Sequence, residues 1–412
     1  MSAKVQRRDR PWADAYVSVL CGPIAMPTTD ALRDAVAAIS RVHPHSRLTW
    51  RLDSASWQWH DDRPLESVVV ERDWPGDDVG STLNAIAGDA ALASPLCLIR
   101  YPNHIGLRMS HCVGDGRLFL TTISTVLQSA LTGELVPWPV QRARSSPLLG
   151  AAAKTFGGAP RLLRDAVRDR VSLTTDAPVG PGEQRPWTPA RRTVYGSLAR
   201  SRADELFDWG AQFAPKASRF ALLIALMLRA MRRVGLETSD DRRVMVDLRR
   251  YLGWRYIDGN FLAGVPMRID AEMAPEELSA SMRTTMSSAR PLANQILTSA
   301  RSRFATPIPT TSFDPNGLPR LTFTNMGRTP EIDGLPFLTD LPPVYGGSVP
   351  PDGPLGLTVL FGDNRRMISI NVAFNDNAID ADLIQRAVDA AISDPVGLVS
   401  ESPQPSRSGG PT

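Results

Sequence analysis

The sequence predicts an α/β protein built as two units, and three observations carry that prediction. Strand-like and helix-like patterns alternate in both halves, an Arg-, Ser-, Pro- and Gly-rich stretch from Pro137 to Pro189 separates them, and 412 residues are long for one core but natural for two domains. The units are placed at residues 1–140 and 191–399, with 141–190 as linker and crossover. Residues 400–412, polar and rich in Pro, Ser and Gly, are expected to be a disordered tail.

In the first unit, Thr29 is placed as the cap of a helix carrying Leu32, Val36 and Ile39 and ending near Pro44. Leu96–Tyr101 and His104–Ser110 read as a hairpin turned by Pro102 and Asn103. Alternation along the second strand puts Ile105, Leu107, Met109 and His111 on one face, with Gly106, Arg108 and Ser110 on the other. The imidazole of His111 is therefore expected at the rim of an apolar, core-facing surface. Leu118, Ile123, Val126, Leu127 and Leu131 then form a helical stripe that Gly133 closes in a left-handed conformation. Asp115 stands where that helix needs an N-cap, and Gly114 and Gly116 permit the tight turn into it. The linker holds one predicted helix, Pro160 to Val171.

The second unit opens with strand Arg192–Leu198 and helices Ser201–Ala211 and Ser218–Val234. Strand Arg243–Arg249 and helix Pro275–Ser288 follow. Leu357–Phe361 and Met367–Phe374 read as a hairpin around Gly362, Asp363 and Asn364. Asp380 caps a last helix whose buried stripe is Leu383, Ile384, Ala387, Val388, Ala391 and Ile392.

Composition narrows the function classes. An apolar fraction of 42% and a charged fraction of 22% are those of a soluble globular protein. No apolar run reaches the roughly 20 residues needed to cross a bilayer. The basic segment Lys4–Arg10 is followed by no apolar signal core, so a cytoplasmic protein is expected. The formal charge is +3, with Lys4, Lys154 and Lys216 the only lysines, and no basic, aromatic-rich face suggests nucleic-acid binding. Arginines such as Arg142, Arg144, Arg161, Arg164, Arg168 and Arg170 read as solvated surface or as contacts to an acidic carrier or coenzyme phosphates. Cys21, Cys97 and Cys112 have neither disulfide nor zinc spacing, and Cys112 is read as a packing residue. His43 and His45 lack companion ligands, so no metal site is expected. They are assigned to a helix end and a strand start. A serine-hydrolase elbow, a Walker loop and a dinucleotide fingerprint are all absent.

The passage Ser110-His111-Cys112-Val113-Gly114-Asp115-Gly116 carries the chemistry. A neutral imidazole can take a proton from a hydroxyl or amine near neutral pH, which makes His111 a candidate general base. The alternative is a hydrogen-bonded core histidine, with Asp115 acting purely as a helix cap.

His111 to Gly116 has the form H-x-x-x-D-G, and three further passages accompany it. They are Ile39 to Leu48 with its His43-Pro44-x-x-Arg47, Val246-Asp247-Leu248-Arg249-Arg250 followed by Gly259-Asn260-Phe261, and Thr322-Phe323-Thr324-Asn325-Met326-Gly327. In this order they resemble the acyltransferase superfamily that includes chloramphenicol acetyltransferase, BAHD enzymes, polyketide-associated acyltransferases and nonribosomal condensation domains. The resemblance implies two similar chloramphenicol acetyltransferase-like lobes, each a two-layer α+β sandwich, with an active-site tunnel between them. It makes His111 the base that deprotonates an acceptor attacking an acyl thioester, with no acyl-enzyme.

By the same resemblance Asp115 turns away from substrate and pairs with an arginine, here Arg249, while Gly116 completes the loop. Thr324 and Asn325 are implied near the developing oxyanion, and strand-end hydrogen bonding is the alternative reading for both. The implied donor is acyl-CoA or a phosphopantetheinyl acyl carrier protein, the acceptor a small, partly hydrophobic molecule. No permanent cofactor and a monomeric enzyme are expected. Two departures stand out: Ser110 replaces the second histidine common in condensation domains, and the plant-type D-F-G-W-G is missing, Gly346 to Gly356 reading only as a loop. Carrier-dependent amide condensation and a non-catalytic, partner-recruiting role are the alternative functions.

Overall fold

Val, Ile, Leu and Met recur at alternate positions in both halves, and such residues form strands only where a second layer covers them. The computed structural model describes residues 2–76, 78–92, 95–139, 146–168, 184–253, 257–301 and 310–401. It contains two principal sheets. The first, of five strands, runs in the order Val344–Ser348, Tyr16–Gly22, Ile105–Ser110, Leu96–Arg100, Val69–Glu71. The second, of six, runs Leu262–Arg268, Asp241–Asp247, Arg320–Arg328, Gly356–Asp363, Met367–Asn375, Arg191–Ala199.

The hairpin read from sequence is the centre of the first sheet, with Leu98 opposite Leu107. Leu96, Leu98, Ile105, Leu107 and Met109 pack in one core with the helices Thr29–Val42 and Gly116–Thr132. On the other face, Leu20, Cys97 and Ile99 are covered by helix Val79–Gly88, so both faces of this sheet are buried. In the second sheet one face rests on helices Arg219–Arg233 and Ala381–Ser393 through Phe323, Val359, Phe361 and Ile370. The other face looks toward the first lobe.

Several boundaries differ from those expected. The first helix is capped by Thr28, whose hydroxyl accepts from the Ala31 N–H at 3.2 Å, because Thr29 already has helical geometry. His45 lies in the short 3-10 turn Pro44–Ser46, and the next strand starts only at Trp50, since Arg47 adopts φ 61° and breaks the extension. The strand expected over Arg243–Arg249 stops at Asp247, whose carboxylate accepts from the Arg249 N–H at 2.9 Å and turns the chain into the 3-10 segment Leu248–Tyr251. The linker contains a helix not foreseen, Pro147–Gly157, besides Pro160–Arg168, and the remainder of the helix expected to Val171 lies outside the described residues. Ser400 ends a short helix from Pro395, and the tail from 402 lies outside them as well.

The largest difference concerns Gly346 to Gly356. Residues Val344–Ser348 are a strand, and it pairs antiparallel with Tyr16–Gly22 in the sheet of the other lobe. Glycine-rich sequence hid it, because periodicity fails where no side chains alternate.

A second tie between the lobes is polar. Arg47 Nη2 lies 2.8 Å from the Asp258 carboxylate, Arg8 Nη2 donates to the Asp258 carbonyl at 2.8 Å, and the Asn260 N–H donates to Asp9 at 3.0 Å. Burial outweighs the neighbouring Arg8 and Arg47 charges and pushes the Asp9 carboxyl up to about 6. Gly259 sits inside this cluster with φ 80°, and a Cβ there would lie 2.8 Å from Arg8 Nη2 and from Asp9 Oδ2.

Removing one member of a buried ion pair strands its partner, so Asp258→Ala should cost about 3 kcal/mol or more, read as a lower urea midpoint. Gly259→Ala should also destabilise, by about 1 kcal/mol from backbone strain before the crowding of Asp9 is counted. A melting profile unchanged in both variants would contradict the role given to this cluster.

Candidate active site

The motif loop is built by two local devices. Strand Ile105–Ser110 ends where Ser110 Oγ donates to the Ala13 carbonyl at 2.7 Å and accepts from the Cys112 N–H at 3.1 Å. Helix Gly116–Thr132 begins where Asp115 Oδ1 accepts from the Arg117 N–H at 3.3 Å, placing a carboxylate at the positive helix end. Between them His111 is held by its backbone N–H, which donates to the Ala15 carbonyl at 2.9 Å.

The imidazole is 6% exposed, flanked by Trp12 and Phe119 with ring centroids 5.4 and 5.1 Å away. Its Nδ1 lies 3.0 Å from the Gly114 carbonyl oxygen. A carbonyl only accepts, so Nδ1 must carry the proton and Nε2 keeps its lone pair. Burial lowers the pKa of His111, against the opposing effects of Asp115 and of the Gly114 bond. The ring is therefore neutral at pH 7.

Asp115 is 1% exposed at its side chain, and its carboxylate bonds to partners other than the imidazole. Its Oδ2 accepts from Arg249 Nη1 at 2.7 Å and from the Phe261 N–H at 3.1 Å. Arg249 also donates to the Ile257 carbonyl at 3.2 Å and lies 3.3 Å from Asp247. Burial opposes its charge, but Asp115 and Asp247 prevail and hold its pKa above the ordinary value. Two of the quoted passages meet here, since Gly114 also bridges to Gly259 across the lobes.

A cavity of about 290 Å³ opens on His111 and is lined from both sheets. Gly116 borders it, and a Cβ at that position would come within 2.4 Å of Met326 Cε, so the absent side chain lets the motif loop approach the strand Arg320–Arg328. Thr324 lines the cavity too. Asn325 does not: its side-chain oxygen accepts from the Gly327 N–H at 2.8 Å, beside an irregularity in the pairing of that strand. Cys112 is buried, and burial pushes its thiol up to about 12, so it carries no thiolate.

Trp12, Phe119, Arg243 and Asp352 also line the cavity and were not singled out from sequence. Phe119 could have been noticed as the first aromatic residue after the motif. Trp12 offers no such signal, because its neighbourhood has no periodicity.

No family model matches the chain. No curated protein matches it either. Solved structures do. Polyketide synthase associated protein 5 from Mycobacterium tuberculosis is similar with TM-score 0.60 at 15% identity, over 96% of this chain and 98% of that one. The condensation domain of the Monacolin K polyketide synthase MokA gives TM-score 0.60 at 13% identity, over 94% of each chain. The chain has the two-lobed condensation-domain fold. TRI3 trichothecene 15-O-acetyltransferase from Fusarium sporotrichioides shares this fold, with TM-score 0.56 at 11% identity over 96% of this chain and 95% of that one. At these identities the likeness is one of fold. Among the described residues, no helix is long and apolar enough to cross a membrane.

Arg249→Met leaves Asp115 buried with only backbone donors, and Asp115→Ala leaves Arg249 without its main counter-charge. Each should cost about 3–5 kcal/mol in chemical unfolding. The double variant should lose clearly less than the sum, because neither charge is then stranded. Strict additivity would show that the two residues act independently.

Proposed function

We propose that this protein is an acyltransferase that moves an acyl group from a CoA or acyl-carrier thioester to a hydroxyl or amine of a small, partly hydrophobic acceptor. The observation that carries this reading is the neutral, tautomer-fixed His111, whose unprotonated Nε2 serves a cavity bordered by both lobes. Nε2 takes the proton from the acceptor as its oxygen or nitrogen attacks the thioester carbonyl. The tetrahedral intermediate then expels the thiolate, and the imidazolium returns the proton to sulfur. No acyl-enzyme forms, and the thioester brings its own activation, so no resident cofactor enters the scheme.

Asp115 and Arg249 act on the position of the loop rather than on substrate, and an error of about an ångström there can cost a hundredfold in rate. Thr324 is the side-chain donor we assign to the developing oxyanion, because its hydroxyl has no protein partner among the described residues and faces the cavity. Asn325 shapes the end of the same strand. The polyketide-associated and O-acetyltransferase names among the similar structures agree with this reaction class and with a role in secondary metabolism.

Thiol release from acyl-CoA and acyl-carrier panels, with and without cell extract as acceptor source, tests the reading. His111→Ala should lower turnover by about 10²–10⁴-fold while the melting temperature stays near that of the parent. An equally active variant would remove the proposal. Because burial lowers the His111 pKa, the acid limb of kcat/KM should lie below pH 6.5. The sign for stability follows: below about pH 6.5 the unfolded chain takes up a proton that the folded one resists, so His111 contributes a loss of stability as pH falls.

A further inference from the structure

The two ends of the cavity differ in chemistry. One end is marked by His111 and by Gly116 against Met326. From Met326 the lining follows its strand back to Thr324 and Thr322, four positions or roughly 13 Å at the rise of a β-strand. Thr322 is in register with Arg243 on one neighbouring strand and with Thr358 on the other. The Arg243 guanidinium pairs with the Asp352 carboxylate, and both line the cavity. Their side chains are 32% and 58% exposed, which places this end at the solvent boundary. Asp352 belongs to the connection between strands Val344–Ser348 and Gly356–Asp363, the crossing from one lobe to the other.

Among the described lining residues, Arg243 and Asp352 are the formally charged pair, and their charges cancel. The Thr322 hydroxyl has no protein partner among the described residues, whereas that of Thr358 reaches the Pro350 carbonyl at 3.5 Å. A ligand bringing an ammonium or a carboxylate here must either displace one member of this half-exposed pair or give up part of its hydration without a free counter-charge. A ligand hydroxyl can both give to and accept from Thr322, while a methyl group leaves that hydroxyl unmatched.

We propose that Arg243 and Asp352, with Thr322 beside them, form the specificity end of the cavity and select an acceptor whose remote group is polar and uncharged. The inference rests on the acyl-transfer reading for the word acceptor, and its test reads binding, so the two fail separately. Four eight-carbon alcohols differ only at the far end: octane-1,8-diol, octan-1-ol, 8-aminooctan-1-ol and 8-hydroxyoctanoate. Calorimetric titration at pH 7.5 should rank the diol first and octan-1-ol roughly three- to tenfold weaker. The two charged ligands should bind more weakly than the diol, by about threefold or more.

The variants are expected to move single ligands. Arg243→Gln exposes an unpaired carboxylate and should improve only the amino alcohol, Asp352→Asn only the hydroxyacid, and Thr322→Val should bring the diol and octan-1-ol to within about twofold of each other. General damage to the cavity would instead weaken all four together, and that result overturns the proposal. So does a charged ligand matching the diol on the parent protein, or no binding by any of the four. The expected ranking without thiol release would sink acyl transfer alone; thiol release without the ranking would sink this assignment alone.

Discussion

Everything at the candidate site hangs on one buried ion pair. Asp115 and Arg249 come from opposite halves of the chain and meet at 2.7 Å with almost no solvent between them. Such a pair is a poor source of net stability, because taking two charges from water costs about as much as their attraction returns. Its value is geometric. The same carboxylate caps the helix that follows the motif and accepts the Phe261 N–H, so the loop, the helix and the second lobe are fixed by one side chain.

With the loop fixed, the ring can be buried. Trp12 and Phe119 exclude water from the imidazole, the Gly114 carbonyl chooses its tautomer, and the lowered pKa keeps it unprotonated. Each of these would be lost if the loop moved, since a carbonyl three residues away selects a tautomer only at hydrogen-bond distance. Directly before His111 stands Ser110, whose hydroxyl ties the motif to the Ala13 carbonyl and so holds the segment that carries Trp12. One small hydroxyl thus supports the aromatic wall from behind.

Local features were legible in the sequence. The hairpin, the N-cap at Asp115, the left-handed end at Gly133 and the helical stripe from Leu118 to Leu127 depend on neighbours a few positions apart and stand where expected, whereas Leu131, read as part of that stripe, is exposed. The partnership of Asp115 with Arg249 came from resemblance rather than spacing, because nothing local joins residues so far apart. Trp12, Arg243 and Asp352 were illegible for the same reason: each reaches the cavity through tertiary packing. The strand at Val344 to Ser348 was missed because two of its five residues are glycine, and Arg249 was placed on a strand that the Asp247 cap in fact ends. Thr324 faces the cavity while Asn325 is spent on a turn, as alternation along a strand dictates for adjacent residues.

The strand at Val344 to Ser348 closes the flank of Tyr16 to Gly22, which lies far upstream of it in the chain. At roughly 5–20 residues per second, that flank waits on the order of tens of seconds for its neighbour to be synthesised. During that interval it is an open template for pairing with other nascent chains. The lobe carrying it is therefore completed only after much of the other has been made, and successful biogenesis depends on shielding the flank throughout the wait.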